Sequence, residues 1–276
     1  MSTATSSGGD AMRPVALITG GSSGIGRALA LLLAQRGYNL ALVARGTERL
    51  AEVRDAVVAE VPHARVECRS ADVGDPVAVS AALVDLVDVL GVPRWAVMNA
   101  GIARPGHFLD QPLDDHAAQM RTNYMGALNV AHALAPRMAA AGGGRMVFVS
   151  SGAAFFGIYG YSAYAPSKFA MRGLAEVLRV ELAPHGIGVT LAYPPDTDTP
   201  QLAAENETKP QATREITAGG GLWSAEAVAE RIVKGVENGR FIVAPGAQMT
   251  LLAHAHSLLA PALRIWQTRV ARTRRG

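Results

Sequence analysis

The sequence predicts a single α/β domain with a doubly wound, parallel sheet of seven strands and helices on both faces. Seven short apolar runs alternate with helical stretches, which is typical of right-handed βαβ units around a parallel sheet. The 276 residues are enough to bury such a core, and the 49% hydrophobic content and 29 glycines fit a globular α/β protein. The predicted strands are residues 15–19, 38–43, 65–68, 95–98, 145–149, 187–192 and 241–243.

The first predicted strand leads directly into a glycine-rich turn and a helix. The turn reads Gly-Gly-Ser-Ser-Gly-Ile-Gly, and a helical stretch rich in alanine and leucine follows until Gly37. In this context the backbone approaches a dinucleotide pyrophosphate, which rests on the positive N-terminus of the helix. A glycine-rich segment alone is also consistent with a plain turn, but the flanking strand and helix favour a cofactor loop. The candidate cofactor residues here are Gly20, Ser22, Ser23, Gly24, Ile25 and Gly26.

The end of the second predicted strand indicates which nicotinamide cofactor is used. Enzymes that bind NAD tend to place an acidic residue here to hold the ribose 2′-hydroxyl. This chain has Ala44 at that place, followed by Arg45. A guanidinium binds a 2′-phosphate bidentately, whereas a carboxylate would repel it. Arg45 therefore favours NADPH/NADP+, although a solvated loop arginine is the ordinary alternative.

The segment that follows the fifth predicted strand contains a serine, a tyrosine and a lysine with the chemistry of a proton-transfer site. Tyr164 and Lys168 lie four residues apart, which puts the phenol and the ammonium on one helix face, about 5–6 Å apart at Cβ. A free tyrosine has a pKa of about 10. A nearby cation favours the phenolate, so we expect Lys168 to lower the pKa of Tyr164. The hydroxyl of Ser151 is then available to hold a substrate oxygen. Taken alone, the Tyr-Lys spacing also occurs on solvated helix faces.

Together these motifs resemble the short-chain dehydrogenase/reductase family over most of residues 14–195. The resemblance implies a single-domain Rossmann fold and an NADP-dependent oxidoreductase. It implies that the tyrosine donates the proton and the serine polarises the carbonyl. The lysine binds the nicotinamide ribose and tunes the tyrosine, and the asparagine holds a water that links the lysine to solvent. The implied catalytic tetrad is Asn123, Ser151, Tyr164 and Lys168.

The same resemblance implies further contacts and an assembly. Pro194-Pro195 departs from the Pro-Gly that the family usually has, which affects the local backbone and not the chemistry. Family members commonly form homodimers or homotetramers through helices that would span about 112–138 and 162–183. The remaining implied cofactor contacts are Asp72, Val73, Asn99, Ala100, Gly101, Tyr164, Lys168, Pro194, Thr197 and Thr199.

The segment after the sixth predicted strand is the part of the sequence that indicates the substrate. Its Pro-Pro-Asp-Thr-Asp-Thr-Pro string, within a lid at about 195–223, resembles the branch of the family that reduces the 3-keto group of a long-chain amino ketone in sphingolipid synthesis. Asp196 or Asp198 would neutralise the substrate ammonium, unless these residues merely cap the following helix. Alternative functions are reduction of another lipophilic carbonyl, a 3-oxoacyl thioester or a steroid, or a catalytically silent NADP-binding sensor or scaffold. The candidate substrate residues are Phe155, Phe156, Tyr161, Asp196 and Asp198.

The remaining composition restricts compartment and partners. The one cysteine, Cys68, excludes an internal disulfide and suits a reducing compartment, and the seven histidines lack the spacing of a metal site. Residues 1–13 form a predicted disordered tail without a signal-peptide core, so we expect a cytoplasmic protein. The domain itself is predicted to span residues 14–248. Five arginines and no acid lie in 264–276, and removing them from the formal net charge of +3 leaves −2. The folded body therefore lacks the basic excess of a nucleic-acid-binding protein.

The C-terminal segment, residues 249–276, is apolar and then rich in arginine. Histidines and Arg264 interrupt its apolar run, so it is a poor transmembrane span. One interpretation is an interfacial helix, with Trp266 and the arginines at an anionic membrane surface. The other is a helix packed on a subunit with a frayed polar tail. The lipid-like substrate favours peripheral membrane contact.

Overall fold

The computed structural model describes residues 13–273, and its main sheet confirms the predicted fold class. Seven parallel strands are arranged in the order β3-β2-β1-β4-β5-β6-β9, and β7 pairs with β8 in a separate two-stranded ribbon. Apart from Arg13, the predicted N-terminal tail lies outside the described residues. The strands are β1 Val15–Thr19, β2 Asn39–Ala44, β3 Val66–Ser70, β4 Trp95–Met98, β5 Gly144–Val149, β6 Ile187–Ala192, β7 Thr197–Asp198, β8 Trp223–Ser224 and β9 Ile242–Val243.

The helices connect the strands and cover both faces of the sheet. A π-helical turn, Met120–Met125, joins the fourth and fifth helices into one long element. Asp75 caps the third helix by accepting hydrogen bonds from the backbone N–H groups of Val77 and Ala78, and Pro76 occupies its first turn. The helices are α1 Gly24–Gln35, α2 Thr47–Glu60, α3 Pro76–Leu90, α4 Leu113–Gln119, α5 Gly126–Ala140, α6 Tyr164–Glu181, α7 Pro200–Thr208, α8 Gln211–Thr217, α9 Ala225–Glu237 and α10 Ala247–Thr273.

The core is divided by the sheet into two apolar layers. Along β1, Val15 and Leu17 pack into one layer, and Ala16 and Ile18 pack into the other. This alternation follows from the period-two geometry of a strand, and burial on both faces explains why the strands read as continuous apolar runs. The two layers pack against opposite faces of the sheet, and the loops at the carboxyl ends of its parallel strands lie along one edge.

The order of the strands determines where a ligand can bind. From β1 the chain builds the sheet outward on one side, through β2 to β3. From β4 it builds the sheet outward on the other side. The neighbouring strands β1 and β4 are therefore followed by connections that run in opposite directions across the sheet. In open α/β sheets, ligands bind beyond the carboxyl ends of the strands at such a switch point. Thr19 fixes this point, since its Oγ1 accepts hydrogen bonds from the backbone N–H groups of Asn99 and Ala100, each at 3.1 Å.

Two segments lie outside the regular βαβ pattern. The stretch between β6 and α9 contains α7, α8 and the β7–β8 ribbon, in which Thr197 pairs with Trp223. The long helix α10 follows β9, and its first turns pack Met249, Leu252 and Ala253 into one core layer. No helix within residues 13–273 is both long and apolar enough to cross a membrane.

Candidate active site

A cavity of about 600 Å³ lies beyond the carboxyl ends of the strands, at the switch point. Loops after β1 to β6, together with α7, α8 and the start of α10, form its walls. It brings most of the predicted site residues to one place. Those that line it are Gly20, Ser22, Ser23, Gly24, Ile25, Arg45, Asp72, Val73, Asn99, Ala100, Gly101, Ser151, Phe156, Tyr161, Tyr164, Lys168, Pro194, Asp196, Thr197 and Thr199.

Four predicted site residues lie behind the lining or away from it. Gly26 and Asn123 are buried behind the lining. The ring of Phe155 packs on Tyr193, with centroids 4.3 Å apart, and Asp198 is exposed on β7. Neither Phe155 nor Asp198 is among the described residues that form the cavity wall. The geometry of the cavity therefore does not support the substrate contact predicted for these two residues.

The glycine loop forms a cradle that side chains would fill. Gly20 and Gly24 adopt positive φ angles of 66° and 50°, which favour glycine. A Cβ at Gly26 would lie 2.1 Å from the carbonyl oxygen of Gly20, so the start of α1 packs directly against the loop. The N-terminus of α1 therefore faces the cavity with its unpaired backbone N–H groups, the arrangement that binds a phosphate.

The end of β2 supplies two cations to the cavity wall. Arg45 follows the strand and Arg49 lies one turn further on, in the first turns of α2, and both side chains are exposed. The sequence analysis identified Arg45 but not Arg49. The two arginines are four residues apart at the start of a helix, and this spacing could have indicated that their side chains lie close together. Two guanidiniums at this point suit the 2′-phosphate of NADP.

Tyr164 and Lys168 are both buried in the first turns of α6 and line the cavity together with Ser151. Lys168 Nζ donates a hydrogen bond to the carbonyl oxygen of Val149 at 3.1 Å and lies 5.6 Å from the centre of the Tyr164 ring. The Oγ of Ser151 accepts a hydrogen bond from the backbone N–H of Ala153 at 3.2 Å. A phenol, a hydroxyl and an ammonium therefore line the same part of the cavity, and these are groups that can transfer a proton to a carbonyl oxygen and stabilise the charge on it.

The pKa of Tyr164 differs from the sequence-based expectation. We expected Lys168 to lower it, but burial raises it and the nearby carboxylate of Glu205 raises it further, while a side-chain hydrogen bond with Ser151 lowers it. Burial also lowers the pKa of Lys168 to about 8. The largest cause is desolvation, which disfavours the charged form of both groups. The phenol of Tyr164 therefore holds its proton firmly in this state.

Asn123 lies in the π-helical turn and connects two walls of the site. Its Oδ1 accepts a hydrogen bond from the backbone N–H of Ile102 at 2.8 Å, and its Nδ2 donates to the Ile102 carbonyl and to Ser167 Oγ, each at 2.9 Å. The side chain is fully buried. π-Helical turns often occur at functional sites, and this one carries Asn123 to the loop that follows β4.

The lid contributes a charged group that sequence reasoning missed. Glu205 lines the cavity although its side chain is only 8% exposed, and it contacts Lys209, with an Oε1–Nζ distance of 3.1 Å. The hydroxyl of Tyr161 donates a hydrogen bond to the same oxygen, Oε1. Lys209 also contacts Asp196 at 3.4 Å. The signal in the sequence was the Glu-Lys spacing of four residues, but that spacing is equally common on solvated helices.

Apolar side chains form the rest of the lid side. Leu202 from α7, Ile216 from α8, and Met249 and Leu252 from α10 line the cavity next to Phe156. An apolar wall of this kind can bury an alkyl chain, and each buried methylene contributes about 0.8 kcal/mol. The cavity thus has an apolar side as well as a polar one.

The family model described as short chain dehydrogenase matches residues 14–210. A 3-dehydrosphinganine reductase of Danio rerio is 40% identical over 228 residues, covering 82% of this chain and 69% of that protein. A 3-ketodihydrosphingosine reductase of Bos taurus is 37% identical over 254 residues, covering 91% and 76%.

Solved structures agree with the sequence relatives. A short-chain dehydrogenase from Sphingobium yanoikuyae in complex with NADPH superposes with a TM-score of 0.78 at 26% identity, covering 91% of this chain and 95% of that one. Levodione reductase gives a TM-score of 0.74 at 28% identity, covering 80% and 89%. With its glycine cradle and buried tyrosine-lysine pair at the same switch point, the chain belongs to the short-chain dehydrogenase/reductase family.

Proposed function

We propose that this protein reduces the 3-keto group of 3-ketodihydrosphingosine to dihydrosphingosine, a step of sphingolipid biosynthesis, with NADPH as the hydride donor. One observation carries the proposal. A single cavity joins a glycine cradle, the half-buried Ser151 and the buried Tyr164-Lys168 pair to a lid with an apolar wall and a buried carboxylate. Relatives named for this activity are 37% to 40% identical over most of the chain.

The cavity fits the proposed cofactor. The cradle at Gly20 and Gly24 and the N-terminus of α1 would hold the pyrophosphate, and Arg45 with Arg49 would hold the 2′-phosphate. Asp72 and Val73 line the part of the cavity suited to the adenine. When bound, NADPH supplies the hydride for the carbonyl carbon.

The residues at the other end of the cavity would manage the proton. Ser151 would hydrogen-bond the substrate oxygen, and Tyr164 would give its proton to that oxygen as negative charge develops there. The phenol is protonated before substrate arrives, as this direction of reaction requires. Lys168 would support the tyrosine and the ribose, and Asn123 would hold the loop after β4 in place.

Steady-state kinetics tests the proposed function. NADPH oxidation would be followed with 3-ketodihydrosphingosine and with a 3-oxoacyl thioester, and each reaction repeated with NADH. We expect fast turnover of the amino ketone with NADPH only. Turnover of the thioester alone would agree with the oxidoreductase chemistry but would contradict the proposed substrate. Comparable rates with NADH and NADPH would contradict the proposed role of Arg45.

We further propose that the protein acts in the cytoplasm as a homodimer or homotetramer. The exposed apolar side chains of Leu113, Met125, Phe169, Val177 and Val180 lie on the long element α4–α5 and on α6, and an interface there would cover them. Light scattering combined with size-exclusion chromatography tests this assembly, and a monomer at micromolar concentration would contradict it.

We also propose peripheral membrane contact through α10. Leu251, Leu258 and Ile265 recur every seven residues along this helix and are 58%, 84% and 58% exposed. Trp266 is exposed beside them, and arginines follow toward the C-terminus. An exposed apolar row next to arginines is suited to the interface of an anionic membrane.

A further inference from the structure

The lid places an ionic cluster, buried except for Asp196, at the wall of the cavity. It consists of Glu205, Lys209, Asp196 and the hydroxyl of Tyr161. The ammonium of Lys209 contacts both carboxylates, at 3.1 Å for Glu205 and 3.4 Å for Asp196, and its side chain is 2% exposed. Both the contact with Lys209 and the hydrogen bond from Tyr161 go to Oε1 of Glu205. Within residues 13–273 no hydrogen bond reaches the other carboxylate oxygen, Oε2, of this cavity-lining residue.

The charges of this cluster do not balance. Two carboxylates share one ammonium, which leaves a formal charge of −1 at the cavity wall. Lys209 itself lies behind the cavity wall, and Lys168, which does line the cavity, directs its ammonium to the carbonyl of Val149. A buried carboxylate without full compensation is costly, and a cation that enters the cavity would remove that cost.

The cluster also lies next to the proposed reaction centre. The rings of Tyr161 and Tyr164 pack edge to face with centroids 5.4 Å apart. The charges of Glu205 and Asp196 both reach Tyr164, because each raises its pKa. In a 2-amino-3-ketone the amine is bonded to the carbon beside the carbonyl. A substrate whose carbonyl oxygen meets Ser151 and Tyr164 would therefore hold its ammonium close to that oxygen, within reach of this part of the wall.

We propose that Glu205 is the residue that recognises the ammonium of the substrate, through Oε2, while Lys209 and Tyr161 hold the carboxylate in position. This inference rests on the proposed function and names a determinant of its substrate specificity. Glu205 suits the role better than the two aspartates considered from the sequence. Asp198 is exposed outside the cavity, and the side chain of Asp196 is 36% exposed, so solvent screens its charge more than that of Glu205.

The bound ammonium would also act on Tyr164. It would offset the field of the two carboxylates, and so it would lower the pKa that they raise. A ketone without the amine would leave that field in place. Glu205 therefore favours amino ketones in two ways, by holding the amine and by slowing proton transfer when the amine is missing.

The test compares two substrates in a matched pair of variants. Glu205→Gln removes the charge but keeps a carbonyl that can accept the hydrogen bond of Tyr161. Glu207→Gln, two residues away on the exposed side of α7, removes the same charge outside the cavity. Each protein is assayed with NADPH on 3-ketodihydrosphingosine and on the des-amino ketone of equal chain length. NADPH binding and thermal unfolding are measured alongside, to show that each variant is folded.

We expect Glu205→Gln to lower kcat/KM for the amino ketone by about 10- to 100-fold, the size of a lost charge-assisted hydrogen bond. The same variant should leave the des-amino ketone unchanged or faster, and Glu207→Gln should match the wild type on both substrates. Equal losses on both ketones, or no loss on either, would overturn this inference while the proposed function stands. A wild-type protein that prefers the des-amino ketone would overturn the proposed function and this inference together.

Discussion

At the scale of single residues, burial determines the chemistry of the site more than charge pairing does. The sequence predicts that Tyr164, Lys168 and Ser151 act together, and the structure brings all three to one cavity wall. It could not predict the direction of the pKa shift of Tyr164, because desolvation depends on tertiary packing and on Glu205 from a distant segment. Glu205 itself could not be identified, since a glutamate in a polar helix gives no sign that it will be buried.

The role proposed for Tyr164 predicts a large kinetic effect from a small change. Tyr164→Phe removes the hydroxyl and keeps the ring, so packing and NADPH binding should persist. We expect kcat to fall by about 10²- to 10⁴-fold, the usual contribution of a general acid. Stopped-flow kinetics with cofactor fluorescence measures both properties, and near-normal turnover would contradict the assignment.

The burial of Lys168 predicts a pH-dependent cost to stability. Its pKa falls from 10.5 to about 8 on folding, so the unfolded chain binds more protons between these values and stability rises with pH. The cost, roughly 3 kcal/mol, is complete below pH 8 and disappears above the unfolded pKa. We expect Lys168→Met to be the more stable protein at pH 7 and to lose that advantage toward pH 10.5.

Urea titrations of both proteins at a series of pH values measure this difference. Comparing the two proteins cancels the titration of groups that they share. A difference in the free energy of unfolding that stays constant from pH 7 to pH 10.5 would mean that Lys168 keeps its ordinary pKa in the fold.

The positions of Arg45 and Arg49 predict that both residues contribute to the preference for NADPH over NADH. Arg45→Ala should lower kcat/KM for NADPH by about 10-fold or more, since a bidentate charge-assisted contact is lost, and leave kcat/KM for NADH nearly unchanged. The double variant with Arg49→Ala should lose most of the remaining preference. Equal effects on both cofactors would instead indicate a structural role for Arg45.

At the scale of elements, local patterns predict the regular part of the fold. Each of the seven predicted strands is found within about two residues of its expected ends, because a strand buried on both faces has a continuous apolar sequence. The β7–β8 ribbon could not be foreseen. Its strands have two residues each and pair Thr197 with Trp223, a contact set by the folding of the lid and not by a local pattern.

Close packing between the glycine loop and α1 predicts that Gly26 cannot be replaced even by alanine without a loss of cofactor binding. In Gly26→Ala the new Cβ would meet the Gly20 carbonyl oxygen at 2.1 Å, so the loop and helix must move apart. We expect NADPH affinity to fall by at least about 10-fold, because that loop is the phosphate cradle. Gly173→Ala is the control, as a Cβ there meets nothing within 4 Å and α6 should gain about 0.5–1 kcal/mol. Unchanged affinity in Gly26→Ala, measured by titration calorimetry, would contradict the cradle.

At the scale of the whole molecule, positive charge is concentrated in the C-terminal segment. The C-terminal arginines account for the basic pI of about 9.2, and the rest of the chain is slightly acidic. Both interpretations of this segment expected a helix, but the sequence did not predict that the helix would continue through Pro261, because the proline and two histidines interrupt the pattern. In the structure α10 continues through Pro261, with its early turns in the core and its later turns partly exposed.

The exposed row on α10 predicts membrane binding that point variants can remove. A truncation at residue 248 would also delete Met249 and Leu252 from the core, so it would confuse binding with folding. We expect Leu258→Glu combined with Ile265→Glu to reduce sedimentation with vesicles that contain anionic phospholipid. Val58→Glu combined with Val77→Glu adds the same charge at exposed valines on α2 and α3 and should bind normally. Equal sedimentation of both double variants would contradict the membrane proposal.

The proposed function requires hydride delivery to the 3-keto carbon of a long-chain amino ketone. Its most direct test is a reaction with 3-ketodihydrosphingosine and NADPH deuterated at the transferable position, followed by mass spectrometry of the product. We expect dihydrosphingosine that carries deuterium on the carbon of the former ketone. Absence of labelled product, under conditions where the protein binds NADPH and reduces another carbonyl, would contradict it.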